Sequence, residues 1–219
     1  AGVPVWVHGG IGGHVVLMCG ATGSEGQTAY RTWCLLAHML AARGLTAIRF
    51  DWPGEGDAAD PLDDIPGIEA AMMTARRIFE ALANRPGVTA VSVVGLRLGA
   101  PIAARALEGA TVARMALLQP VSHGRRYRRE MNAAARLVAD ASDGAGTIGG
   151  FAPDHMADAG LDALTLAPLP AAGAMLIATQ GETAPDRCAT AEQIDFDGYG
   201  AMMAPNAMTP PVALFGRVA

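Results

Sequence analysis

Residues 88–108, VTAVSVVGLRLGAPIAARALE, limit what this chain can fold into more than any other stretch. They read as a buried strand, a corner pinched by glycines and then a helix. The corner is Gly95-Leu96-Arg97-Leu98-Gly99. Two glycines at that spacing suit a strained turn that lifts its central side chain above a sheet, beside a helix N-terminus. The side chain so presented is Arg97, a cation that cannot be deprotonated and so cannot serve as a nucleophile.

The same alternation of strand and helix runs through the rest of the chain. Residues 3–7 (VPVWV) alternate weakly and stop at His8-Gly9-Gly10, with Gly12-Gly13 following, which predicts an N-terminal hairpin with a glycine-rich turn. Residues 15–19 (VVLMC) form a continuous apolar run, as expected of a strand buried on both faces. After GATGSEG a helix is expected over 28–43, with Trp33, Leu36, Ala37 and Leu40 facing inward and Gly44 as its stop. A second buried strand over 45–50 leads into Asp51-Trp52-Pro53-Gly54-Glu55-Gly56-Asp57, and a long helix is expected over 68–84. Further strands are expected over 114–121, 174–179 and 191–196. Residues 124–172 break the pattern, with an arginine-rich helix over 124–141 and a loose remainder, and read as a cap-like insertion within one domain of residues 1–219.

Strands alternating with helices predict an open, mostly parallel α/β sheet with helices on both faces. Ligands on such sheets bind at the carboxyl ends of the strands. That rim would gather residues 19–26, 51–57, Arg97, Ser122-His123 and residues 180–186.

Composition narrows the function classes. The net charge is −5, which gives no reason to invoke nucleic acid or an anionic membrane. Every basic residue is arginine, from which no function follows. Cys19, Cys34 and Cys188 are scattered and odd in number, as expected of reduced thiols, and the start of the chain lacks a signal peptide's pattern. The cytoplasm is the expected compartment, and no cofactor or metal is called for. Asp154, His155 and Asp158 have metal-like spacing but lack a further clustered ligand.

The five-residue corner has the G-x-S-x-G spacing of a nucleophile elbow, with arginine where serine belongs. Joined by VVLMCGATGSEG, by LAARGLTAIRFDWPGEGDA and by the D-x-x-G-x-G loop over 51–56, it makes the chain resemble the α/β-hydrolase fold superfamily. The resemblance covers residues 13–125 well and 170–206 loosely. On GLRLGA, QPVSHGRRYRREM and DGYGAMM the chain is similar to a bacterial subgroup described as exosortase-associated or serine-aminopeptidase-like hydrolases. The resemblance implies an oxyanion hole from the backbone N–H of Leu98 and one from Gly20-Ala21, and an acid at Glu182 or Asp186. It also implies a catalytic histidine after the last strand, where residues 201–219 hold none and Asn206 stands instead. Two of the three triad roles are unfilled.

Each candidate has a functional and a structural reading. Arg97 is either an anion receptor at a helix N-terminus or half of an internal salt bridge to Asp51, Glu55, Glu182 or Asp186, with Asp51 or Asp186 preferred. Ser122 and His123 stand on the rim, but adjacent residues leaving a strand tend to point apart. Cys19 is either a thiol activated by Arg97 or an inert buried one. Arg125, Arg126, Arg128 and Arg129 spread around a helix and are expected to pair with acids or lie solvated. The expected function is non-catalytic binding of a small anionic or acyl ligand, or of a protein partner, by Arg97, Leu98, Gly20, Ala21, Asp51, Ser122, His123 and Asp186. The alternatives are an ester, thioester or peptide hydrolase using other rim residues, and a structural subunit.

Overall fold

A computed structural model describes residues 2–10, 12–61, 65, 67–139, 160–180 and 191–195. Its seven strands are β1 (Val5–His8), β2 (Gly13–Cys19), β3 (Thr46–Phe50), β4 (Val88–Leu96), β5 (Thr111–Leu118), β6 (Ala171–Thr179) and β7 (Glu192–Asp195). They form one sheet in the order β1-β3-β2-β4-β5-β6-β7, with every pairing parallel except that of β1 with β3. The helices are α1 (Gly23–Ala42), α2 (Gly67–Ala83), α3 (Gly99–Ala106) and α4 (Gly124–Ala139), with a short 3-10 turn at Leu161–Ala163.

The apolar runs explain the centre of the sheet. The last five residues of β2, all of β3 and the last six of β4 are buried, so these strands carry hydrophobic side chains on both faces. One face packs on α1 through Trp33, Leu36, Ala37 and Leu40. The other packs on α2 and α3 through Ala71, Ala75, Phe79, Ile102 and Ala103. The inward stripe expected of the first helix is therefore present.

The expected N-terminal hairpin does not form. β1 lies antiparallel to β3, with Trp6 opposite Arg49 and His8 opposite Ala47. Both edges of β2 are already taken by the parallel ladders to β3 and β4, which leaves β1 only the outer edge of β3. Other boundaries move as well. The first helix begins five residues earlier than expected, at Gly23, and the strand expected over 114–121 runs instead from Thr111 to Leu118. The strand expected over 174–179 begins at Ala171, inside the stretch read as an insertion. Residues 140–159 of that stretch lie outside the described residues.

From β2 the chain crosses to β3 on one side and then returns to β4 on the other. The sheet's switch point is therefore between β2 and β4, and a crevice opens beyond the carboxyl ends of those two strands. Gly20 and Arg97 stand there, one step past Cys19 and Leu96.

Candidate functional site at the carboxyl rim

Arg97 occupies the corner between β4 and α3 with φ of +51°, the left-handed region that non-glycine residues rarely adopt. The strained elbow is thus built even though no nucleophile sits on it. Its backbone is tied down by the Arg97 N–H donating to Leu118 O at 3.1 Å and by the Ala100 and Val121 N–H groups donating to Arg97 O.

The guanidinium turns toward the start of α1. Arg97 Nε donates to Glu25 Oε1 at 2.8 Å, and both side chains are only 12% exposed. Tyr127 of α4 donates its hydroxyl to Glu25 Oε2 at 3.0 Å, and its ring lies 5.5 Å from the guanidinium carbon. Burial pushes the Tyr127 phenol well above its ordinary range, with the Glu25 carboxylate adding to the shift. The phenol therefore stays a donor.

The ion pair is internal, as one reading of Arg97 expected, but its partner is not Asp51. Asp51 instead accepts the Asp57 N–H at 3.0 Å, closing its own loop. Glu55 accepts the Gly23 N–H at 3.0 Å. Asp186 and Glu182 lie outside the described residues, as does Asn206. Glu25 and Tyr127 were not foreseen from the sequence.

Leu98 is the N-cap residue of α3, and the loop through Cys19 and Gly20 meets the next residue, Gly99. A Cβ at Gly99 would overlap the carbonyl oxygens of Gly20 and Cys19, so only glycine lets the elbow and this loop meet backbone to backbone. Gly99→Ala is expected to cost about 1–3 kcal/mol by forcing the two apart. Chemical denaturation of the variant measures the loss, and wild-type stability would show that the loop yields freely.

Between α1 and the loop after β3 lies a cavity of about 580 Å³. Gly20, Ala21 and Asp51 line it, and Arg97 does not. Its wall also carries Glu55 and Arg49, neither of which was expected to bind ligand. Burial pushes the Glu55 carboxyl up to about 7 against the opposing Gly23 N–H bond, and Asp51 nearby adds to the rise. Arg49 is 6% exposed, and its Nε donates to His8 Nε2 at 3.0 Å. An arginine within an apolar strand, Thr-Ala-Ile-Arg-Phe, was the sequence signal for this position.

The remaining candidates do not join this group. Ser122 and His123 precede α4, where Ser122 O accepts the Leu166 N–H and His123 bridges Thr165. No hydrogen bond joins their side chains among the described residues. The only serine–histidine bond among those residues links His14 Nε2 and Ser92 Oγ at 2.7 Å, at the far end of β2 from the rim. Cys19 is fully buried, and burial alone drives its thiol far above the ordinary range, so it is inert. Arg126 pairs with Glu130 and Arg128 with Asp162, the structural roles expected of that cluster. No group of three or more histidine, cysteine or carboxylate residues suited to a metal occurs among the described residues.

No protein-family model and no curated protein matches the sequence. Solved structures do match in three dimensions. An α/β hydrolase from Sphaerobacter thermophilus is similar with a TM-score of 0.57 at 18% identity, covering 98% of this chain and 96% of that one. A bromoperoxidase from Bacillus anthracis is similar with a TM-score of 0.61 at 15% identity, covering 98% and 95%. A lipase-esterase related protein from Clostridium acetobutylicum gives 0.66 at 8% identity, covering 100% and 98%. At such identities the likeness speaks for fold alone. With its parallel sheet, its antiparallel edge strand and its strained corner between strand and helix, the chain has the α/β-hydrolase fold.

Proposed function

We propose that this is a non-catalytic α/β-hydrolase-fold protein that binds a small anionic or acyl ligand at the carboxyl rim. The observation that carries the reading is Arg97 itself. It stands where the fold presents a nucleophile, and it is held there by Glu25 and Tyr127. Arginine cannot be activated by a base, and Asn206 stands where the resemblance implies the catalytic histidine. Gly20, Ala21 and Asp51, three of the residues expected to bind, line a cavity large enough for a small molecule. The GLRLGA elbow favours the exosortase-associated subgroup, and the scattered thiols favour a reducing compartment.

A fluorophosphonate probe is the direct test. Wild-type protein is expected to remain unlabelled and to turn over no nitrophenyl ester. Arg97→Ser is expected to stay inactive as well, because a serine without its base is a poor nucleophile. Stoichiometric labelling of Ser122, or of any other serine in the wild type, would overturn the proposal.

A further inference from the structure

We infer that the anion receptor of this rim is Arg49, and that the cavity beside it takes a small monocarboxylate with an apolar body. The inference rests on the reading above in placing a ligand on the rim, but not on the loss of catalysis.

Arg49 is a buried residue whose guanidinium meets no counter-charge among the described residues. It is 6% exposed, yet no carboxylate among the described residues forms an ion pair with it. Among the described residues its one acceptor is His8 Nε2, which takes only the Nε hydrogen. That bond requires neutral histidine, and burial, then Arg49 and His38, all hold the His8 pKa below its ordinary value. The rings of Trp6 and Tyr30 each lie 5.4 Å from the guanidinium carbon. They offset part of the desolvation and hold the planar group in place. None of these contacts supplies an acceptor to the two terminal nitrogens.

A guanidinium with its terminal fork unclaimed is the geometry that binds a carboxylate bidentately. Arg49, Trp6 and Tyr30 all line the 580 Å³ cavity, so a ligand there reaches that group. Ala21, Ala29, Trp33 and Leu96 give the same cavity an apolar part of its lining. A carbon chain or ring leading away from the carboxylate would lie along it.

The charge on the ligand is limited by the other side. Asp51, Glu55 and Asp57 also line the cavity, so a phosphate or a dicarboxylate would meet carboxylates as well as the arginine. A single negative charge satisfies Arg49 with the least repulsion. At the N-terminus of α1 the Gly23 N–H is already taken by Glu55.

The protein carries its own reporter. The chain has 3 tryptophans, Trp6, Trp33 and Trp52, and all of them line the cavity. Titration with octanoate, followed by tryptophan fluorescence, is expected to give a saturable change. Octanamide and inorganic phosphate at the same concentrations are expected to give none. Arg49→Met is expected to weaken octanoate at least tenfold. Arg49→Lys, which keeps the charge should the apolar variant fail to fold, is expected to retain octanoate binding in weakened form. An equal response to octanoate and octanamide would reduce the site to a greasy pocket and overturn the inference. An equal response to phosphate would overturn the monocarboxylate, and silence toward all three would overturn the site. Octanoate binding together with fluorophosphonate labelling would uphold this inference while sinking the non-catalytic reading, so the two fail separately.

Discussion

Arg97→Ala is expected to lower the melting temperature by about 6–20 °C, in buffer without ligand and at any salt concentration. The estimate follows from removing one partner of a buried ion pair, which costs about 3–5 kcal/mol, at about 2–4 °C per kcal/mol for a chain of this size. The loss is large because Glu25 stays behind. Its side chain is 12% exposed, and among the described residues only the Tyr127 hydroxyl would remain to satisfy it. Replacing both charges, as in Arg97→Met with Glu25→Leu, is expected to recover most of the loss, since neither charge of this pair is then left behind without the other. Salt should matter little to a pair so shielded from solvent. Thermal denaturation of the single and double variants provides the check. A single variant that melts with wild type would mean the pair is not a strut, and a double variant as weak as the single would locate the effect elsewhere.

Glu55→Gln is expected to stabilise the protein at pH 8 by up to about 3 kcal/mol, and to leave it unchanged near pH 4. The Glu55 carboxyl rises from 4.5 to about 7, chiefly because it is buried. Between those two pH values the folded chain holds a proton that the unfolded chain has released. Stability therefore falls as pH rises from 4.5 to about 7, and the deficit stays constant above that. Glutamine carries no charge to desolvate, and its side-chain oxygen still accepts the Gly23 N–H. The lowered pKa values of His8 and His14 act in the other direction, costing stability as pH falls below 6.5, but they are common to both proteins and cancel in the comparison. Denaturant unfolding at pH 4 and pH 8 measures the difference. A gap that does not widen with pH would show that Glu55 titrates as an ordinary carboxylate.

Much of the fold could be read directly from the sequence. Apolar runs such as Val15–Cys19 cannot be solvated on either face, and the glycine-pinched corner admits few other conformations. The site was harder. Arg97 stood out because arginine replaced an expected serine, but Glu25 lies 72 residues away, in a loop that gave no sign of starting a helix. Once α1 begins at Gly23, Glu25 falls in its first turn, where a carboxylate is favoured and can reach across to the elbow. Tyr127 is 102 residues from Glu25, a contact that no local pattern encodes. Arg49 is legible in the sequence as the one charge inside an apolar strand. Its strand was read for its apolar content, and the one residue in it that contradicts burial was the informative one.

The clamp on Arg49 has an unequal foundation. Tyr30 comes from a helix of 20 residues, whereas Trp6 and His8 come from β1, a strand of 4 residues at the edge of the sheet, with Val5 and Val7 exposed. A short edge strand opens at a fraction of the free energy of global unfolding. Each time β1 frays, Arg49 loses an aromatic wall and its histidine acceptor together, while the body of the sheet stays folded. Amide hydrogen exchange along β1 therefore measures how often the guanidinium is let go, and an anion seated on Arg49 would slow that exchange without protecting β5 or β6.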